Sequence, residues 1–74
     1  MKVLFENSKG QTREIAEVKT IEQAYKEINK FCSERNYEIR LMREWKKDNV
    51  TIVDVGSYTE FFHIVEDIVS NGEV

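Results

Sequence analysis

Proline is absent from the 74 residues, cysteine occurs once and glycine three times. With no proline, no low-complexity tract and no glycine-rich stretch, nothing punctuates the chain as a linker, so residues 1–74 read as a single domain. The lone Cys32 has no intramolecular partner, which excludes a disulfide framework and points to a reducing compartment. Long apolar runs are missing too. Met1-Lys2-Val3-Leu4-Phe5-Glu6 reaches a carboxylate after three apolar residues, far short of the roughly twenty a membrane span needs. The expectation is a soluble, cytoplasmic protein. Nor is there an excess of cations: 11 Lys and Arg stand against 14 Asp and Glu, a net charge of −3. General phosphate binding requires a broad positive footprint, so this balance disfavours nucleic acid as a partner.

What is present suits a small folded unit. Hydrophobic residues make up 41% of the chain and include four Phe, three Tyr and one Trp, enough for a core despite 34% charged residues. A chain this short draws only about 3–5 kcal/mol of net stability from one core. Partner contacts or dimerisation are natural supplements.

The apolar pattern recurs at an offset of thirty-seven residues, since Ile15 to Thr20 aligns with Ile52 to Ser57. The set Ala24, Tyr25, Ile28, Phe31, Cys32 likewise aligns with Phe61, Phe62, Val65, Ile68, Val69. Five pairs are identical: Leu4/Leu41, Lys9/Lys46, Ile15/Ile52, Val18/Val55 and Ser33/Ser70. Residues 1–36 and 37–74 therefore read as pseudo-repeats, each a hairpin followed by a helix. Lys2 to Glu6 and Thr12 to Lys19 form the first hairpin around Asn7-Ser8-Lys9-Gly10-Gln11. Tyr37 to Trp45 and Val50 to Val55 form the second around Lys46-Lys47-Asp48-Asn49. Thr20 with Gln23, and Ser57 with Glu60, are capping-box signatures for two helices ending near Asn36 and Asn71-Gly72.

The predicted fold is α+β: a ββαββα two-layer α/β sandwich, with a four-stranded antiparallel sheet and both helices on one face. The predicted strand order is 2-1-3-4, or 1-2-4-3. Ile28 and Val65 become equivalent core positions. Alternation then places Leu4, Ala16, Val18, Ile39, Leu41, Val53 and Val55 beneath the helices. It places Val3, Phe5, Arg13, Ile15, Glu17, Arg40, Met42, Glu44, Val50, Ile52 and Asp54 on the open face. A half-apolar open face of this kind is an interaction surface, so Val3, Phe5, Arg13, Ile15, Arg40, Met42 and Ile52 are the candidate contacts for a protein partner or a homodimer.

Other constellations carry less. Arg40 to Lys47 is the only basic island, and Arg13, Arg40, Arg43, Trp45, Lys46 and Lys47 constitute an alternative nucleic-acid surface with one aromatic for stacking. Lysines in a hairpin also serve to protect a sheet edge. Glu60 and His63, three apart, have a metal-ligand spacing, but the equivalent first-repeat positions are Gln23 and Lys26, so no metal or other cofactor is expected. Asp54-Val55-Gly56-Ser57 offers a serine with no base suitably placed, which reads as corner and cap rather than catalysis, and no enzyme is expected.

Residues Thr51 to Phe62, Thr-Ile-Val-Asp-Val-Gly-Ser-Tyr-Thr-Glu-Phe-Phe, resemble small uncharacterised accessory proteins of phages and prophages of Gram-positive bacteria. The resemblance covers roughly the final third of the chain. It implies a non-enzymatic module that acts by binding a host protein, and it brings no catalytic residue with it.

Overall fold

The computed structural model describes residues 1–40, 42–57 and 59–66. Its strands are β1 (Lys2–Glu6), β2 (Thr12–Glu17), β3 (Arg43–Lys47), β4 (Val50–Asp54) and β5 (Phe61–Val65), with one helix, α1 (Ile21–Glu34). All strand pairs are antiparallel, in the order β2-β1-β5-β4-β3. The last of the described strands in sequence is central in space.

Local chemistry sets most of the boundaries. Asn7 organises the first turn: its side-chain oxygen accepts from the N–H groups of Lys9 and Gln11 at 2.9 and 3.0 Å. Gly10 supplies the left-handed backbone that the turn requires, at φ 80°. Thr20 caps α1 by accepting from the Gln23 N–H at 3.1 Å, and the Gln23 side chain reaches back to the Lys19 N–H at 2.9 Å. At the other end, Asn36 takes φ 56°, and the N–H groups of Arg35 and Tyr37 both donate to the Cys32 carbonyl. Between β3 and β4, Asp48 adopts φ 57° in a two-residue loop.

One layer of helix packs on one face of the sheet. Ala24, Ile28 and Cys32 from α1 meet Val3, Phe5, Val53, Val55, Phe62 and Ile64 from the strands and the turn after β4 to make the buried core. Phe5, Phe31 and Phe62 form a triangle of rings with centroids 4.9–5.6 Å apart, within the usual range for tilted and edge-to-face pairs. The helix lies over β1, β2 and β5, while Tyr37 and Ile39, from the segment that follows it, pack against the same core. No helix among the described residues is long and apolar enough to cross a membrane.

This architecture corrects the two-helix expectation. Residues Phe61–Val65, assigned above to a second helix, are a strand paired on both sides. Ser57 does accept from the N–H groups of Thr59 and Glu60, at 3.3 and 3.1 Å, so the capping chemistry is real. It closes a turn instead, and an aromatic and β-branched run then takes the chain into extended backbone. Asp54 likewise accepts from the Gly56 N–H at 2.8 Å, and Gly56 sits at φ 98°. The four-stranded sheet, the pair of helices and the repeat of hairpin plus helix are therefore replaced by five strands and a single described helix. Among the described residues, only residues 43–45 of the expected Tyr37-to-Trp45 strand are paired, and Lys46 and Lys47, expected in the turn, continue the strand. Leu41, Tyr58 and the Asn71-Gly72 helix end lie outside the described residues. Neither expected strand order holds, because β5 separates the two hairpins.

Two sheet assignments change with it. Val3 and Phe5 are core residues and Leu4 points the other way, since β1 has three consecutive apolar residues and its own alternation is silent. On β2 a bulge takes the register from Val3↔Ala16 to Leu4↔Glu14 and leaves Ile15 as the extra residue. Arg13 consequently lies opposite Phe5, on the helix side, and Ile15 packs against the core.

Glu44, expected on the open face, is on the helix side as well, where its carboxylate accepts a hydrogen bond from the Tyr25 hydroxyl. Burial, that hydrogen bond and the charge of Glu44 together raise the Tyr25 pKa far above its ordinary value. The unfolded chain therefore releases this proton first as pH rises past about 10. Stability should be complete below that pH and fall through the alkaline range toward the folded-state pKa. Tyr25→Phe should lose this part of the slope in urea melts between pH 9 and 11, and an unchanged slope would show that Tyr25 ionises alike in both states.

Candidate interaction face

The sheet face opposite α1 is built from three cross-strand rows. The middle row runs across all five strands as Trp45, Ile52, His63, Leu4 and Glu14. On one side lies the row Lys47, Val50, Val65, Lys2, Glu17. On the other, Arg43 pairs opposite Asp54, and Phe61, Glu6 and Thr12 follow in register. Because side chains alternate along a strand, these residues share one face by necessity. None of the described elements packs on it.

Its most open part is aromatic. Trp45 is 46% exposed and meets Phe61 edge-to-face, with ring centroids 6.4 Å apart. Ile52, Leu4, Val50 and Val65 are half-buried around them. Polar groups on this face are paired with one another. His63 Nε2 lies 2.7 Å from a Glu6 carboxylate oxygen, and Arg43 pairs with Asp54 at 3.2 Å. Lys2 and Glu14 approach to 3.9 Å. Charge is graded across the sheet, with Arg43 and Lys47 on the β3 side and Glu14 and Glu17 on the β2 side.

Of the residues that sequence reasoning placed on this face, Ile52 is there, and Glu17, Val50 and Asp54 share it. Val3 and Phe5 are in the core. Arg13 lies on the helix side, with its guanidinium 6.0 Å from the centre of the Phe31 ring. Arg40 is exposed in the segment after α1, where its N–H donates to the Val55 carbonyl at 3.3 Å. Met42 is exposed immediately before β3. The alternative nucleic-acid set is dispersed: Arg43, Trp45 and Lys47 share the open face, but Lys46 is on the other side of β3, paired with Glu66 at 2.7 Å, and Arg13 and Arg40 are elsewhere. Leu4, Phe61, His63 and Val65 were missed. The signal that a strand reading would have used is the aromatic and β-branched composition of Phe61-Phe62-His63-Ile64-Val65.

His63 and Glu6 supply two donors, and among the described residues no group of three or more His, Cys, Asp or Glu is placed to hold a metal. The side-chain oxygens of Asp54 and Ser57 accept turn hydrogen bonds from the N–H groups of Gly56 and Glu60. No family model matches the chain, and neither a curated protein nor a solved structure matches it.

Proposed function

We propose that this protein is a non-enzymatic interaction module that docks a partner protein on the sheet face centred on Trp45 and Ile52. The observation that carries this reading is the Trp45–Phe61 pair, standing with Ile52 and Leu4 on a face that no described element covers. Large amphipathic aromatics beside an aliphatic patch, ringed by paired charges, have the composition of an interface core and rim. Around Trp45 the neighbouring side chains on this face are Arg43 and Lys47, so the partner is an apolar surface edged with carboxylates at that end. The resemblance of residues 51–62 to phage and prophage accessory proteins supports a cytoplasmic host protein in that role.

Trp45→Lys with Ile52→Lys should abolish capture of the partner from host lysate without lowering the melting temperature by more than a few degrees, since both side chains lie outside the core. Loss of a central tryptophan contact alone corresponds to about 2 kcal/mol or more, roughly thirtyfold in affinity. Fluorescence of Trp45, the only tryptophan, should shift when the purified partner is added. Equal capture by the folded double variant would overturn the proposal. So would a wild-type dimer in sedimentation that the variant loses, which would assign the face to a second copy, or oligonucleotide binding that falls steeply with salt.

A further inference from the structure

On the opposite side of the sheet, where the C-terminal end of α1 meets the strands, an apolar pocket of about 300 Å³ opens to the surface. Its walls are the rings of Phe5, Phe31 and Phe62 with Val55, and the Cys32 side chain lies at its inner end. Burial pushes the Cys32 pKa up, against a smaller opposing effect of Arg35, so the thiol is neutral and completes an apolar lining. At about 30 Å³ for each water-sized group, the cavity holds on the order of ten non-hydrogen atoms.

The mouth is cationic. The Arg35 guanidinium lies 4.7 Å from the centre of the Phe31 ring and 5.4 Å from that of Phe5, and Arg13 approaches Phe31 from β2 at 6.0 Å. Cation–π contact holds these groups against the rings while leaving their N–H donors available. Among the described residues neither arginine takes part in an ion pair, although the chain carries more carboxylates than cations. A wider polar groove, lined by Asn7, Gln11, Arg13 and Arg35, continues outward from the pocket. One carboxylate, Glu60, borders both spaces.

We infer that this pocket binds a small apolar carboxylic acid, its alkyl or aryl body against the wall of three phenylalanines and its carboxylate held by Arg35 and Arg13. The apolar walls define the body of the ligand, and the two unpaired guanidinium forks define its head, because a planar carboxylate accepts two parallel N–H bonds from such a fork. Glu60 at the rim disfavours a dianionic head such as a phosphate monoester. The site lies across the sheet from Trp45 and is independent of partner docking there.

The test is a titration of the ¹⁵N-labelled protein with octanoate, octan-1-ol and octylamine, followed by amide chemical shifts. Octanoate should give saturable shifts at Phe31, Cys32, Arg35 and Phe62, with octanol weaker and octylamine without effect. Arg35→Gln should weaken octanoate roughly tenfold, the loss of one charge-assisted contact, while Arg35→Lys, which keeps the charge but not the fork, should fall between. Arg13→Gln gives a second removal of the head contact on a different element, should Arg35→Gln disturb the end of α1. Octanol binding as tightly as octanoate, unchanged affinity in both glutamine variants, or shifts that cluster at Trp45 and Ile52 would each overturn the inference, as would the absence of saturable shifts.

Discussion

Phe5→Lys is expected to unfold the domain. Phe5 is the fourth of the five residues of β1, paired with Arg13 on one side and Phe62 on the other, and its ring closes the aromatic triangle with Phe31 and Phe62. Truncating a buried phenylalanine costs about 3–5 kcal/mol, and the lysine ammonium adds a desolvation penalty to that loss. A domain of this size has about 3–5 kcal/mol in hand. Circular dichroism should show the loss of strand and helix signal together, and the amide spectrum should collapse to random-coil dispersion. The result discriminates between sheet parities, because with Phe5 outward the same change would be silent. A folded Phe5→Lys protein would show that β1 presents its other face to the helix.

The second large effect separates two neighbouring residues. Ile64 is fully buried opposite Val3 and Thr51, whereas Val65 lies on the uncovered face between Lys2 and Val50. Ile64→Ala should cost about 2–5 kcal/mol, the usual range for a buried large-to-small change. Val65→Ala leaves no enclosed cavity and should cost about 1 kcal/mol or less, in part through lost β-propensity. Urea melts of the two variants decide the matter. Equal losses, or the larger loss at Val65, would restore the helical reading, in which Val65 and Ile28 were matching core positions.

The elements that were legible are those whose signals have one interpretation. The β1–β2 turn is written in Asn7 and Gly10, and α1 in the Thr20 and Gln23 cap followed by Ala24, Ile28 and Cys32 at helical spacing. The end at Asn36 was equally visible. By contrast, Phe61-Phe62-His63-Ile64-Val65 is apolar at both helical and alternating spacings, and the Ser57 cap favoured the wrong one. What decided it is a tertiary fact: β1 and β4 each need a partner on their inner edges, and β5 satisfies both. Parity failed where information was lacking or shifted. Val3-Leu4-Phe5 carries no alternation of its own, and the bulge at Ile15 moves Arg13 across the sheet without leaving a mark in composition. Of the candidate contacts, the uncovered face keeps Ile52 and loses Val3, Phe5 and Arg13, and its middle row includes a residue from the strand that was read as a helix.

The position of β5 also governs the order in which the molecule can assemble. The hairpin of β1 and β2 and the hairpin of β3 and β4 share no strand pairing with each other, so until residues 61–65 join them they are two separate ribbons. Two-stranded ribbons are marginal in water. The closing step pairs β5 with β1 across most of the chain, a loop whose closure entropy is lost before any contact repays it. During synthesis, the apolar halves of both ribbons consequently wait for residues 61–65, which are made after them, and α1, which leans on β5 as well as β1 and β2, waits with them. Neither ribbon alone completes the core, so folding should be a single late event rather than a progressive one.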